Sequence, residues 1–119
     1  MRLPIQYAFS YPQRLNIDGD RLDLFKTQHL DFIEPDVNKF RCLGLAYEAI
    51  RQGGNMPCIL NAANEVVNLA FREGRCTFTG MADVIEKTMQ QASFDSNITL
   101  DTYLQTDTEA RRIAQSLLS

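Results

Sequence analysis

From residue 36 onward, apolar side chains return every three to four residues in four successive stretches, and that period is the strongest constraint on the fold. A 3.6-residue repeat collects those side chains on one stripe of a helix, which must then be covered by another element. In "DVNKFRCLGLAYEAIRQGG", Phe40, Leu43, Tyr47 and Ile50 share one face, and Gly53-Gly54 ends the helix because glycine tolerates the left-handed conformation beyond a helix C-terminus. "MPCILNAANEVVNLAFREG" is a second helix, with Pro57 near its start and Gly74 at its stop. "TGMADVIEKTMQQA" is a third, with Thr79 as N-cap and Met81, Val84, Ile85 and Met89 as its apolar face. In "TDTEARRIAQSLL", Thr106 and Glu109 are spaced as a capping box, and Asp107 and Arg111 stand at i, i+4 with the acid first. A shorter helical turn, "LDTYL", precedes it. Four such helices joined by short loops bury their stripes against one another, which predicts an antiparallel four-helix bundle over residues 36–119.

Residues 1–35 differ in texture and read as an arm outside the bundle. Pro4 can open a helical turn, "PIQYAFS", that Pro12 stops, and Asp18-Gly19 is a turn signal. "HLDFIEP" alternates, with Leu30 and Phe32 on one face and Asp31 on the other, which predicts a short strand ending at Pro35. The fold class expected is therefore mainly α: a four-helix-bundle-like domain preceded by an arm with one short helix and one short strand. A lone strand has no partner to complete its ladder.

Composition narrows the function classes. A chain of 119 residues with 45% hydrophobic and 23% charged residues suits one domain plus a tail, and can bury about two-thirds of its unfolded surface without a metal or disulfide. The net charge of −3 and the lack of any basic cluster beyond Arg111-Arg112 argue against nucleic acid as a partner. No apolar run is long enough to span a bilayer, and "MRLPIQYAFSYPQR" lacks the apolar core and cleavage site of a signal peptide. Cys42, Cys58 and Cys76, odd in number and widely spaced, read as buried free thiols in a reducing compartment. No short-spaced cysteine or histidine pair offers a zinc site.

Among polar constellations, Asp18, Asp20 and Asp23 have a glycine in the wrong place for a calcium loop and read as a solvated turn. His29, the only histidine, has no partner motif and reads as a surface or half-buried residue. The second helix carries a more informative pattern. Asn61, Asn64, Glu65 and Asn68 fall at i, i+3, i+4 and i+7, one helix face. Asparagine is a poor helix former, and a solvated face would normally carry lysine, glutamate and arginine. Amides both donate and accept, so the stripe reads either as a solvated face or as an amide network packed on backbone or on another domain. Direct ligand binding is a lesser alternative.

Several stretches together resemble one enzyme family. "MRLPIQYAFSYPQR" is similar to the M-R-[T/L]-P-I…W-P-x-R segment of 1-deoxy-D-xylulose-5-phosphate reductoisomerases, with Tyr11 where tryptophan is common. Ile59 to Glu65, "ILNAANE", is similar to that family's A-L-N-A-A-N-E. "LDFIEPD" and "CLGLAYEAIRQGG" resemble its L-x-F-x-x-P-D and C-L-x-L-A-x-x-A-x-x-x-G, while the last twenty-five residues match only in texture.

The resemblance implies the end of a central catalytic domain (residues 1–35) followed by a C-terminal helical bundle (36–119). It implies a cytoplasmic parent enzyme, expected to be a homodimer. That enzyme rearranges and reduces 1-deoxy-D-xylulose 5-phosphate to 2-C-methyl-D-erythritol 4-phosphate with NADPH and magnesium or manganese, in the non-mevalonate route to isoprenoids. The family's cofactor loop, metal-binding carboxylates and phosphate contacts would lie upstream, so only Met1 maps to a functional position, at the edge of the nicotinamide site. The chain alone is then expected to be inactive, to bind no cofactor itself, and to self-associate through residues 1–35. The alternative is a free-standing helical interaction module.

Overall fold

The computed structural model describes residues 2–16 and 19–118. Six helices follow in order: α1 (Arg2–Ser10), α2 (Leu24–Thr27), α3 (Arg41–Gln52), α4 (Met56–Arg72), α5 (Phe78–Gln91) and α6 (Leu100–Leu117). Chain contacts divide them between two compact units, Met1–Ile33 and Glu34–Ser119.

In the first unit, α1 begins close to Pro4 as expected, and Gln6 Nε2 ties it to the following loop by donating to the Leu15 carbonyl at 2.9 Å. Asp23, read from sequence as part of a solvated turn, caps α2, accepting from Phe25 N at 3.0 Å and Lys26 N at 3.3 Å. The strand expected at residues 29–35 does not form: among the described residues there is no strand, and 28–36 have no regular structure. Period-2 alternation needs a second strand to receive its N–H and C=O groups, and none pairs here. No described residue of this unit is buried, and Phe25 and Phe32 are both 91% exposed.

The second unit is the bundle. Helix α4 is its hub, packing against α3, α5 and α6. Ile59, Ala62, Ala63, Val67 and Ala70 on α4 are wholly buried, as are Ala110 and Ala114 on α6. Alanine at these contact positions lets helix axes approach closely, and interdigitating Ile85, Met81 and Met89 of α5 fill the remaining space. The α5 face read from sequence is therefore the buried one.

Three sequence expectations are corrected. On α3 the core is reached by Leu45 and Ala49, whereas Phe40, Tyr47 and Ile50 are exposed. Leu43 is half-buried, and Phe40 lies at the N-cap position before α3. The N-cap of α5 is Thr77, whose Oγ1 accepts from Gly80 N at 3.0 Å, and Thr79 lies inside the helix. "LDTYL" and "TDTEARRIAQSLL" form one continuous helix capped by Thr99, so Thr106 and Glu109 are mid-helix rather than a capping box. Thr106 is instead buried against the loops at the other end of α3 and α5.

Those loops are joined by one side chain. Asn55, 1% exposed, donates from Nδ2 to the Ser93 carbonyl at 2.9 Å and to Thr106 Oγ1 at 3.0 Å. Its Oδ1 accepts from Asp95 N at 2.9 Å, and its own N–H reaches the Asp95 carbonyl at 3.0 Å. Gly54 beside it has φ +57°, and a Cβ there would lie 2.5 Å from the Asp95 oxygen and 2.8 Å from the Phe94 ring. A glycine and an asparagine thus fasten the α3–α4 turn to the α5–α6 loop.

Candidate functional site

The polar stripe of α4 is the candidate site that the sequence singles out, and its four members have different surroundings. Asn61 is exposed and donates to Glu65 Oε1 at 3.4 Å, one turn on. Glu65 Oε2 accepts from Arg111 Nη2 at 2.6 Å, and Arg111 Nε donates to Asp107 Oδ2 at 2.8 Å. The Arg111 guanidinium, held by Asp107 of its own helix, therefore ties α6 to α4 through Glu65. The hydrogen bond that Arg111 donates to Asp107, followed by the one it donates to Glu65, drives its pKa further up. Arg111 stays charged throughout any accessible pH. A cleft of about 340 Å³ opens beside this clamp, walled by Leu69, Arg75, Gln115 and Leu118.

Asn64 turns the other way. It is half-buried and lines a groove of about 280 Å³ with Phe40, Cys42, Phe78 and Met81. Asn68 is exposed. Neither the Asn64 nor the Asn68 side chain hydrogen-bonds to another residue among those described. A second fork braces the opposite side of the groove, where Arg41 pairs with both Asp83 and Glu86 of α5. The bond that Arg41 donates to Asp83 leads in pushing the Arg41 pKa up.

The remaining candidates lie apart. Met1 and Asp18 fall outside the described residues. Asp20 and His29 are exposed. The cysteines are free thiols, but Cys42 is exposed and Cys58 and Cys76 are half-buried, which corrects the reading of all three as buried. Partial desolvation pushes the Cys42 and Cys58 thiols up, and the Arg41 charge offsets part of this at Cys42. Among the described residues no group of three or more His, Cys, Asp or Glu side chains could hold a metal ion, and no helix is long and apolar enough to cross a membrane. Glu65, the one carboxylate of the stripe, is paired with Arg111. What this face offers chemically is hydrogen bonding by amides, with the Cys42 thiol in the groove beside Asn64.

Sequence reasoning missed Asn55 and the pairing of Arg111 with Glu65. The first had a signal, an amide wedged between Gly-Gly and the apolar start of α4. The second had none, since Glu65 and Arg111 are far apart in the chain.

Comparison with known proteins covers nearly the whole chain. Residues 1–113 match the model of the DXP reductoisomerase C-terminal domain. The chain is 59% identical over 118 residues to a 1-deoxy-D-xylulose 5-phosphate reductoisomerase of Bacteroides fragilis, covering 99% of this chain and 30% of that protein. It is 45% identical over 118 residues to the enzyme of Chlorobium phaeobacteroides, with 99% and 31% covered. Among solved structures, the reductoisomerase of Zymomonas mobilis in complex with NADPH superposes with a TM-score of 0.87 at 34% identity, over 99% of this chain and 31% of that one. A DOX-P reductoisomerase in complex with NADPH, fosmidomycin and magnesium gives 0.81 at 31% identity, over 98% and 31%. The chain thus spans about 30% of the length of the curated relatives it matches. On this match of sequence and fold, the chain belongs to the DXP reductoisomerase C-terminal domain family.

Proposed function

We propose that this chain is the C-terminal part of a 1-deoxy-D-xylulose 5-phosphate reductoisomerase, an enzyme converting that substrate to 2-C-methyl-D-erythritol 4-phosphate with NADPH and a divalent cation. The observation that carries the proposal is the 59% identity sustained over 118 residues with the Bacteroides fragilis relative. In this reading residues 1–35 complete the central catalytic domain, and residues 36–119 are a bundle that buttresses it. The exposed phenylalanines of the first unit, Phe9, Phe25 and Phe32, support that division, since burying a single phenylalanine stabilises a fold by about 1.5–3 kcal/mol. Met1 sits at the edge of the nicotinamide site, and the enzyme is a cytoplasmic homodimer.

The described residues do not fit the cofactor or the metal: they hold no cluster of metal-ligating side chains, and no glycine-rich nucleotide loop. The chain's part is structural, and alone it is inactive. An assay with NADPH, magnesium and the 1-deoxy sugar phosphate should show no NADPH oxidation by the 119-residue chain. The same chain, put in place of the matching segment of the Bacteroides fragilis enzyme, should support turnover. Turnover by the chain alone, or a folded chimera without activity, refutes the proposal.

A further inference from the structure

The groove beside Asn64 lies where α3 and α5 both begin. Arg41 and Cys42 are the first two residues of α3, Phe78 and Thr79 are the first two of α5, and all four line it. The first N–H groups of a helix have no acceptor within it and carry the positive end of its dipole. At α3 the N-cap residue, Phe40, makes no side-chain cap, and at α5 the Thr77 hydroxyl accepts only from Gly80 N. An aspartate or glutamate in the first turn would compensate such an end, and neither helix has one. Two positive helix ends therefore open on one hollow of about 280 Å³.

The side chains add to this field. No aspartate or glutamate lines the groove, whereas Lys39 and Arg41 do. Arg41 is paired with Asp83 and Glu86. Lys39 has no carboxylate partner among the described residues, and its Nζ lies 5.7 Å from the centre of the Phe40 ring. The walls are apolar, from Phe40, Phe78 and Met81, and the half-buried Asn64 amide reaches them from α4 without a side-chain partner among the described residues. Apolar walls with a few convergent polar groups make a small-molecule site. Here the polar groups are donors: an ammonium, an amide, the Thr79 hydroxyl and the helix N–H groups, which together favour an anion.

We infer that this groove is a binding site for a small organic anion, a compact apolar ring or branched body carrying one carboxylate or phosphate group. The apolar body packs on Phe40, Phe78 and Met81, and the anionic oxygens meet Lys39 and the first N–H groups of α3 and α5. Asn64 donates to a further oxygen of the ligand. The site goes beyond the reading of the chain as part of a reductoisomerase and does not need it, because every residue used belongs to the bundle.

The Cys42 thiol in the groove wall gives the test its readout. The 119-residue chain is alkylated with iodoacetamide, a small neutral reagent, and each cysteine is followed by peptide mass spectrometry. Phenyl phosphate and benzoate are the probes. At a few times its Kd, at least one of them should slow Cys42 labelling about fivefold and leave Cys58 and Cys76 unchanged. Inorganic phosphate, which lacks the apolar body, and benzyl alcohol, which lacks the charge, should protect less at the same concentration. Lys39→Gln should raise the half-protecting concentration about tenfold, the loss of one charge-assisted bond. Thr79→Glu places an acid in the first turn of α5, which suits the helix dipole and keeps the fold, and should abolish protection. Lys87→Gln, on the exposed side of α5, should not change it. No protection at millimolar probe, protection that persists in Thr79→Glu, or equal protection of all three cysteines overturns the assignment. The same labelling of the active chimera with the Bacteroides fragilis enzyme should again show a reactive, protectable Cys42. A Cys42 that reacts only in the isolated chain means that the rest of the enzyme covers the groove, and this also overturns the site.

Discussion

Replacing Asn55 by alanine should unfasten the end of the bundle. Its side chain makes three hydrogen bonds, at 2.9, 3.0 and 2.9 Å, to Ser93, Thr106 and Asp95. A net hydrogen bond contributes about 1 kcal/mol, and a buried partner left unpaired costs more. Thr106 is buried and loses its donor outright, whereas the Ser93 carbonyl and Asp95 N–H are part-buried and can regain water. The loss should be about 3 kcal/mol, a large share of the roughly 5–15 kcal/mol that holds a domain together. The assay is urea unfolding followed by circular dichroism, with the midpoint falling and the slope unchanged. A loss below about 1 kcal/mol would refute the latch.

Asn55→Asp refines the same argument through pH. The carboxylate would place an acceptor against the Ser93 carbonyl, so its folded-state pKa must rise above the unfolded value of about 3.9. A raised pKa makes the protonated form the better fit. The variant should be closest to wild type below about pH 4 and lose stability as pH rises through the folded pKa. A variant that gains stability with pH over that window would show that Oδ1 and Nδ2 do not have the partners described.

Three further outcomes follow from the geometry. Gly54→Ala meets both a left-handed φ and backbone 2.5 Å away, so thermal melting should show a loss of at least about 2 kcal/mol, against about 1 kcal/mol for Gly74→Ala, where φ is +74° and nothing lies within 4 Å. A double-mutant cycle of Arg111→Met with Glu65→Gln should give a coupling of about 0.5 kcal/mol, because the pair is partly exposed and screened by solvent, and 1 M salt should remove most of it. In the native chain an aromatic disulfide reagent should label Cys42 before Cys58 and Cys76, yet more slowly at pH 7 than a free thiol, since desolvation pushes its pKa up. Labelling of Cys76 first would contradict the exposures.

The helices and their class were legible because periodicity is a local property. Met81, Val84, Ile85 and Met89 face the core as their spacing predicts, and glycines close α3 and α4. The "ILNAANE" stretch was legible in part. Its asparagines stand on one face as spacing requires, while its role in the bundle belongs to the alanines between them, which are wholly buried at the helix contacts. Family membership was also legible, since motifs in register need no coordinates.

What sequence could not supply is which face of a helix meets which neighbour. On α3 two stripes compete: Tyr47 and Ile50 of the stronger apolar one are exposed, and Leu45 and Ala49 of the weaker one pack inward. Periodicity measures amphipathicity but carries no information on what covers a face. Nor does it show that a strand signal at residues 29–35 lacks a partner, or that Thr106, spaced as a cap, will be met by an amide 51 positions earlier. Those outcomes depend on contacts between residues distant in the chain, and only the tertiary structure decides them.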